Sequence, residues 1–96
     1  MDDKLWCVPV IYISHNEMEF NIVVELAGVN KKDINLEMTD SGFCLTAQRK
    51  DCNYSGCYSL AHEINPEAVK AEYENGLLKI KAPISKKISG IQIKID

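Results

Sequence analysis

Residues 71–83 read Ala71-Glu72-Tyr73-Glu74-Asn75-Gly76-Leu77-Leu78-Lys79-Ile80-Lys81-Ala82-Pro83, and this stretch decides the fold class. Asn-Gly suits a two-residue hairpin loop because both residues tolerate positive φ. Before it, Ala71 and Tyr73 alternate with Glu72 and Glu74; after it, Leu78, Ile80 and Ala82 alternate with Lys79 and Lys81. A period of two on both sides of such a turn predicts two strands with one buried face each. Pro83 cannot donate to a ladder and closes the second strand.

The same period recurs towards the N-terminus. Phe20, Ile22, Val24 and Leu26 alternate with Asn21, Val23 and Glu25, and Ile34, Leu36 and Met38 with Asn35 and Glu37. After the Asp40-Ser41-Gly42 turn, Phe43, Leu45 and Ala47 alternate with Cys44, Thr46 and Gln48. Tyr58, Leu60, His62 and Ile64 form a fourth run, and Val8 to Ile13 an earlier strand. About seven short strands separated by turn residues predict an all-β, immunoglobulin-like antiparallel β-sandwich with a C-terminal extension. Only Asn65 to Lys70 has the Asn-Pro opening of a helical turn, and no segment has room for a βαβ crossover.

At 96 residues the chain is expected to be one domain: a short N-terminal arm over 1–7, the sandwich over 8–83, and a linker and tail over 84–96. Hydrophobic residues at 46% and charged residues at 26% fit a globular chain. No apolar run approaches the roughly 20 residues needed to span a bilayer, and no basic segment leads an apolar stretch, so a soluble cytoplasmic protein is expected. The net charge of −3 argues against nucleic acid as the main partner, and neither nucleic acid nor membrane is expected to bind. In such a compartment Cys7, Cys44, Cys52 and Cys57 are expected as thiols.

The tail carries Ile91, Ile93 and Ile95 on one side of an extended ribbon, with Gln92 and Lys94 on the other. Two readings follow: a last strand packed on its own sheet, or strand addition to another subunit or partner, with the isoleucines filling pockets.

Taken together, these residues resemble the α-crystallin domain of the small heat-shock protein family. Ala71 to Leu78 is similar to its A-x-x-x-n-G-v-L signature, and Glu25 to Ile34 to its D-L-P-G-v-k-k-e-D-I stretch, with Ala27 in place of the proline. Asn65 to Lys70 resembles its d-P-d-k-I-k run, and Gly90-Ile91-Gln92-Ile93 its C-terminal I-x-I motif. The resemblance covers Trp6 to Ile95.

It implies an ATP-independent holdase that binds apolar segments of unfolding proteins, needs no cofactor, and associates with itself. The I-x-I tail would dock, through Ile91 and Ile93 or through Ile93 and Ile95, in a neighbour's groove lined by Leu36, Met38, Val69 and Ala71. The segment Arg49 to Tyr58 is too short for the swapped loop of bacterial relatives. A dimer would therefore form edge to edge along Cys57, Tyr58, Ser59 and Leu60. Gly56, Cys57 and Ser59 stand near the position of an arginine common in the family. Only about seven residues precede the first expected strand, where the family carries a long apolar arm, so a small oligomer is expected.

Cys52 and Cys57 flank Asn53 to Gly56 and form a candidate redox pair across a hairpin; surface thiols and a zinc site with Cys44 or Cys7 are the competing readings. No C-x-x-C pair supports a metal, and none is expected. His62 falls on the apolar side of its expected strand, and neither it nor His15 has a nucleophile partner. With no G-x-S-x-G, P-loop or G-x-G-x-x-G, an enzyme is not expected. The alternative function is a co-chaperone-like adaptor domain that binds one folded partner; a thiol-based redox or metal protein ranks third.

Overall fold

The computed structural model describes residues 5–86 and 90–96. Residues 1–4 of the expected arm and 87–89 of the expected linker lie outside the described residues. Eight strands follow in order: β1 (Leu5–Cys7), β2 (Val10–His15), β3 (Glu19–Glu25), β4 (Ile34–Met38), β5 (Gly42–Gln48), β6 (Cys52–Ser59), β7 (Lys70–Glu74) and β8 (Leu77–Pro83). They form two four-stranded sheets, β1-β6-β5-β4 and β2-β3-β8-β7. Every pair within the sheets is antiparallel except β1 with β6, which is parallel.

The alternation read in the sequence sorts residues into core and surface. Phe20, Ile22 and Val24 of β3, with Leu26 after it, face Phe43, Leu45 and Ala47 of β5 across the sandwich, and Leu78, Ile80 and Ala82 of β8 extend the layer. Cys52 and Tyr54 of β6 and Ile64 complete it, and no charged side chain is buried among the described residues. Burial of each large apolar side chain stabilises by about 1.5–3 kcal/mol, which is why the in-phase residues are apolar.

The Asn75-Gly76 turn has φ of 53° and 78°, the left-handed pair of a type I′ hairpin, and it sets β7 and β8 in the register Glu74↔Leu77 to Lys70↔Lys81. Pro66–Ala68 forms a 3-10 turn, with the Asn65 side-chain oxygen accepting from the Glu67 amide at 3.2 Å.

Two expectations are corrected. The run from Tyr58 to Ile64 is not one strand: β6 begins at Cys52, inside the segment expected to be a loop, and ends at Ser59. Backbone bonds from Leu60 to the Ser41 carbonyl and from Ile64 to the Asp40 carbonyl then bend the chain round the β4–β5 hairpin. Ile64 reaches its buried place by an isolated bridge to Ile84. The second is at the N-terminus, where Leu5–Cys7, within the short arm expected over 1–7, forms a strand.

Candidate functional site

Val8 and Pro9 alone join β1 to β2, so the outer edges of the two sheets on that side lie together. The opposite edges, β4 and β7, therefore share the other side of the sandwich. Along them Leu36, Met38 and Val69 are half-buried against the core and Ala71 is exposed. Of the four residues predicted to line a groove, Leu36 and Met38 thus stand on the β4 edge, Ala71 on the β7 edge and Val69 just before it.

Tyr73 holds the β7 rim in place. Its hydroxyl lies 2.7 Å from the carbonyl oxygens of Leu26 and Val29, both in the segment between β3 and β4. Leu26 is also tied to the hairpin, its amide donating to the Gly76 carbonyl at 2.8 Å.

The tail does not join this edge or any other in its own chain. Residues 90–96 have no strand pairing, and Ile91, Ile93 and Ile95 are 88%, 75% and 91% exposed. Packing of the tail on its own sheet is therefore not what the structure contains.

Of the expected dimer edge, Cys57, Tyr58 and Ser59 lie on β6 and Leu60 just beyond it. β6 pairs with β5 along Asn53 to Ser59 but with β1 only from Cys52 to Tyr54. Among the described residues the outer edge of Ser55–Ser59 has no partner. Tyr58 turns inward against Phe43, with ring centroids 5.2 Å apart, while Cys57 and Ser59 face outward.

The candidate pair Cys52 and Cys57 is corrected as well. Both belong to β6 and, five residues apart, they point to opposite faces. Cys57 is joined to Cys44, its direct cross-strand partner, with Cα atoms 4.0 Å apart; Cys52, a core residue, is joined to Cys7 of β1 at 5.9 Å. The four cysteines expected as thiols are all paired in this structure.

His62 sits in a bend, not on a strand, with its ring edge-on to His15 at 4.9 Å and tilted on Phe20 at 6.0 Å. Among the described residues no group of three or more His, Cys, Asp or Glu side chains is placed to hold a metal. Nor is any helix among them long and apolar enough to cross a membrane.

Two features escaped sequence reasoning. Arg49 closes the β5–β6 turn by donating to Asp51 at 2.6 Å and the Tyr54 hydroxyl at 2.9 Å, and reaches the Ala27 carbonyl at 3.2 Å. The second is the exposure of Leu5, Trp6, Val8, Val10, Tyr12 and Ile13, apolar residues of β1, β2 and the link between them. The period-two spacing of Trp6, Val8, Val10 and Tyr12 was the available signal.

The model of the Hsp20/alpha crystallin family matches residues 41–96. Small heat shock protein C2 of Rickettsia felis is 30% identical over an alignment of 105 residues, covering 93% of this chain and 67% of that protein. Small heat shock protein C4 of the same organism is 29% identical, covering 88% and 61%. The chain thus spans about two thirds of these relatives' lengths. In fold it is similar to heat shock protein 16.0 from Schizosaccharomyces pombe, with a TM-score of 0.77 at 20% identity over 94% of this chain and 99% of that one.

Proposed function

The chain belongs to the Hsp20/alpha crystallin family, a family of non-enzymatic chaperones, and on that premise we propose that it is an ATP-independent holdase. It binds apolar segments of unfolding proteins in the cytoplasm and associates with copies of itself through its tail and its open β6 edge. The observation that carries the reading is the tail. Three isoleucines held in water by their own chain, beside a sandwich with two half-covered apolar rims, fit a docking segment and a receptor that meet between copies.

The energetics favour reversible docking. Burying an isoleucine gains about 1.5–3 kcal/mol, while ordering the tail costs roughly 1–2 kcal/mol per residue. The balance for a single tail is small, so several weak contacts must act together, and an apolar client can displace any one of them. A sandwich alone serves an adaptor equally well; membership of a chaperone family favours the holdase.

The test is suppression of heat-induced aggregation of a labile client protein by the full chain and by a chain carrying Ile91→Ser, Ile93→Ser and Ile95→Ser. Concentration-dependent suppression by the full chain, changed in the variant, supports the reading. A full chain that leaves aggregation untouched at several-fold excess overturns it and leaves the adaptor.

A further inference from the structure

We infer that Cys7 and Cys52 form a redox site that gates the β6 edge: oxidised, the pair docks β1 over half of the edge; reduced, it releases β1 and opens the whole edge to a second copy. The inference rests on the β6 edge being a pairing surface, as proposed above.

Little besides the sulfur link holds β1. It is three residues long, its ladder with β6 runs only through Leu5↔Cys52, Trp6↔Asn53 and Cys7↔Tyr54, and Pro9 is not free to extend it as a donor. Leu5 and Trp6 are 73% and 71% exposed, so they gain little from burial. Fixing three residues costs backbone entropy that so short and exposed a strand does not recover. Asn53, beside Trp6 in the register, has its side-chain oxygen buried without a hydrogen-bond partner among the described residues. An unmade bond of that kind favours release. The Cys7–Cys52 link, closing 45 residues of chain, supplies the missing constraint.

The other pair does not have this consequence. Cys44 and Cys57 join two strands already matched along seven register positions, so the hairpin remains whether or not they are bonded.

The geometry of the edge then decides what can pair. With β1 docked, only Ser55–Ser59 is open; with β1 gone, all eight residues Cys52–Ser59 are. Two copies laid antiparallel about a two-fold axis over more than five residues place the partner strand where β1 lies, so docking and long self-pairing exclude each other. A reducing compartment favours the open state, and an intracellular disulfide of this sort acts as a sensor and not as a permanent staple.

The oxidant is a low-molecular-weight disulfide such as glutathione disulfide. The Cys7 thiolate, half-exposed, attacks it and expels one glutathione thiolate; the Cys52 thiolate then attacks the Cys7 sulfur and expels the other. Two electrons pass from the cysteine pair to glutathione, and two protons are released from the thiols to solvent or to the departing glutathione.

The experiment is native mass measurement, oxidised with glutathione disulfide or reduced with dithiothreitol, on full-length chains carrying the three tail serine substitutions so that tail docking contributes nothing. The inference expects a 10.8 kDa monomer when oxidised and a twofold rise in mass when reduced. Cys7→Ser should give the heavier species under both conditions, and Cys44→Ser with Cys57→Ser should keep the redox response. Trp6, the single tryptophan, reports on β1 directly. The fast local component of its fluorescence anisotropy decay should grow on reduction, and in Cys7→Ser be large throughout. Equal mass and equal Trp6 motion in both redox states overturn the gate, as does a response that follows Cys44. A monomer under every condition, with Trp6 freed on reduction, overturns edge pairing and with it the gate on self-association.

Discussion

The hydroxyl of Tyr73, on the edge strand β7, lies 2.7 Å from the carbonyl oxygen of Leu26, at the end of β3. Val29 presents a second carbonyl at the same distance, so one phenolic proton is shared between two acceptors that fix the turn between β3 and β4. The bond ties the β7 edge to the core. Tyr73→Phe should lower stability by about 1–2 kcal/mol, a lost hydrogen bond with carbonyls left short of a donor, at nearly constant apolar burial. Urea unfolding checks this; an unchanged midpoint contradicts it.

Gly76 occupies φ of 78°, and a Cβ there would stand 3.1 Å from the Ala27 Cα. Gly76→Ala therefore meets both left-handed strain and backbone crowding, and should cost about 2 kcal/mol or more. Thermal unfolding reads the loss. Asn75→Gly, which leaves the turn conformation accessible, should change little by comparison.

Leu45 is 1% exposed at the centre of the sandwich. Leu45→Ala should destabilise by about 2–5 kcal/mol through lost transfer energy and a residual cavity. Against a total of about 5–15 kcal/mol for a small domain, that is enough to lower the melting temperature by about 8 degrees or more.

Asp51 is held below the usual carboxylate range, chiefly by its hydrogen bond from Arg49 and next by a backbone bond. The folded state thus binds this proton more weakly than the unfolded chain. The contribution is present above the unfolded carboxylate value, about pH 4, and is lost as pH falls through the lower folded value. Native protein and Asp51→Asn should differ in stability at pH 7, modestly because Asp51 is largely solvated, and converge once the pH has fallen below the folded carboxylate's value. A difference that persists in acid contradicts the assignment.

Local pattern carried much of the fold into view. The Asn75-Gly76 turn, the alternations of β3, β4, β5 and β8, and the Asn65 cap all depend on residues near one another in sequence, and each stands in the structure. Where long-range contacts decide, the pattern misled. Leu60, His62 and Ile64 continue the period of Tyr58, yet hydrogen bonds to the β4–β5 hairpin bend the chain there. Cys52 joins Cys7 through a parallel strand pair 45 residues apart, which no local spacing encodes; the nearer Cys57 was the more obvious partner and lies on the wrong face. The tail isoleucines were legible as a motif, whereas their exposure in the folded chain was not.

The account stands or falls on whether the tail docks on another copy beside β4 and β7. The measurement is native mass in reductant across a concentration series for three chains: the unsubstituted protein, the triple tail variant Ile91→Ser, Ile93→Ser and Ile95→Ser, and Leu36→Glu, which places a charge on the groove rim. The unsubstituted chain should grow heavier with concentration, and both variants should stop at the same smaller species while keeping their folded circular dichroism. A mass series that neither substitution changes would contradict it.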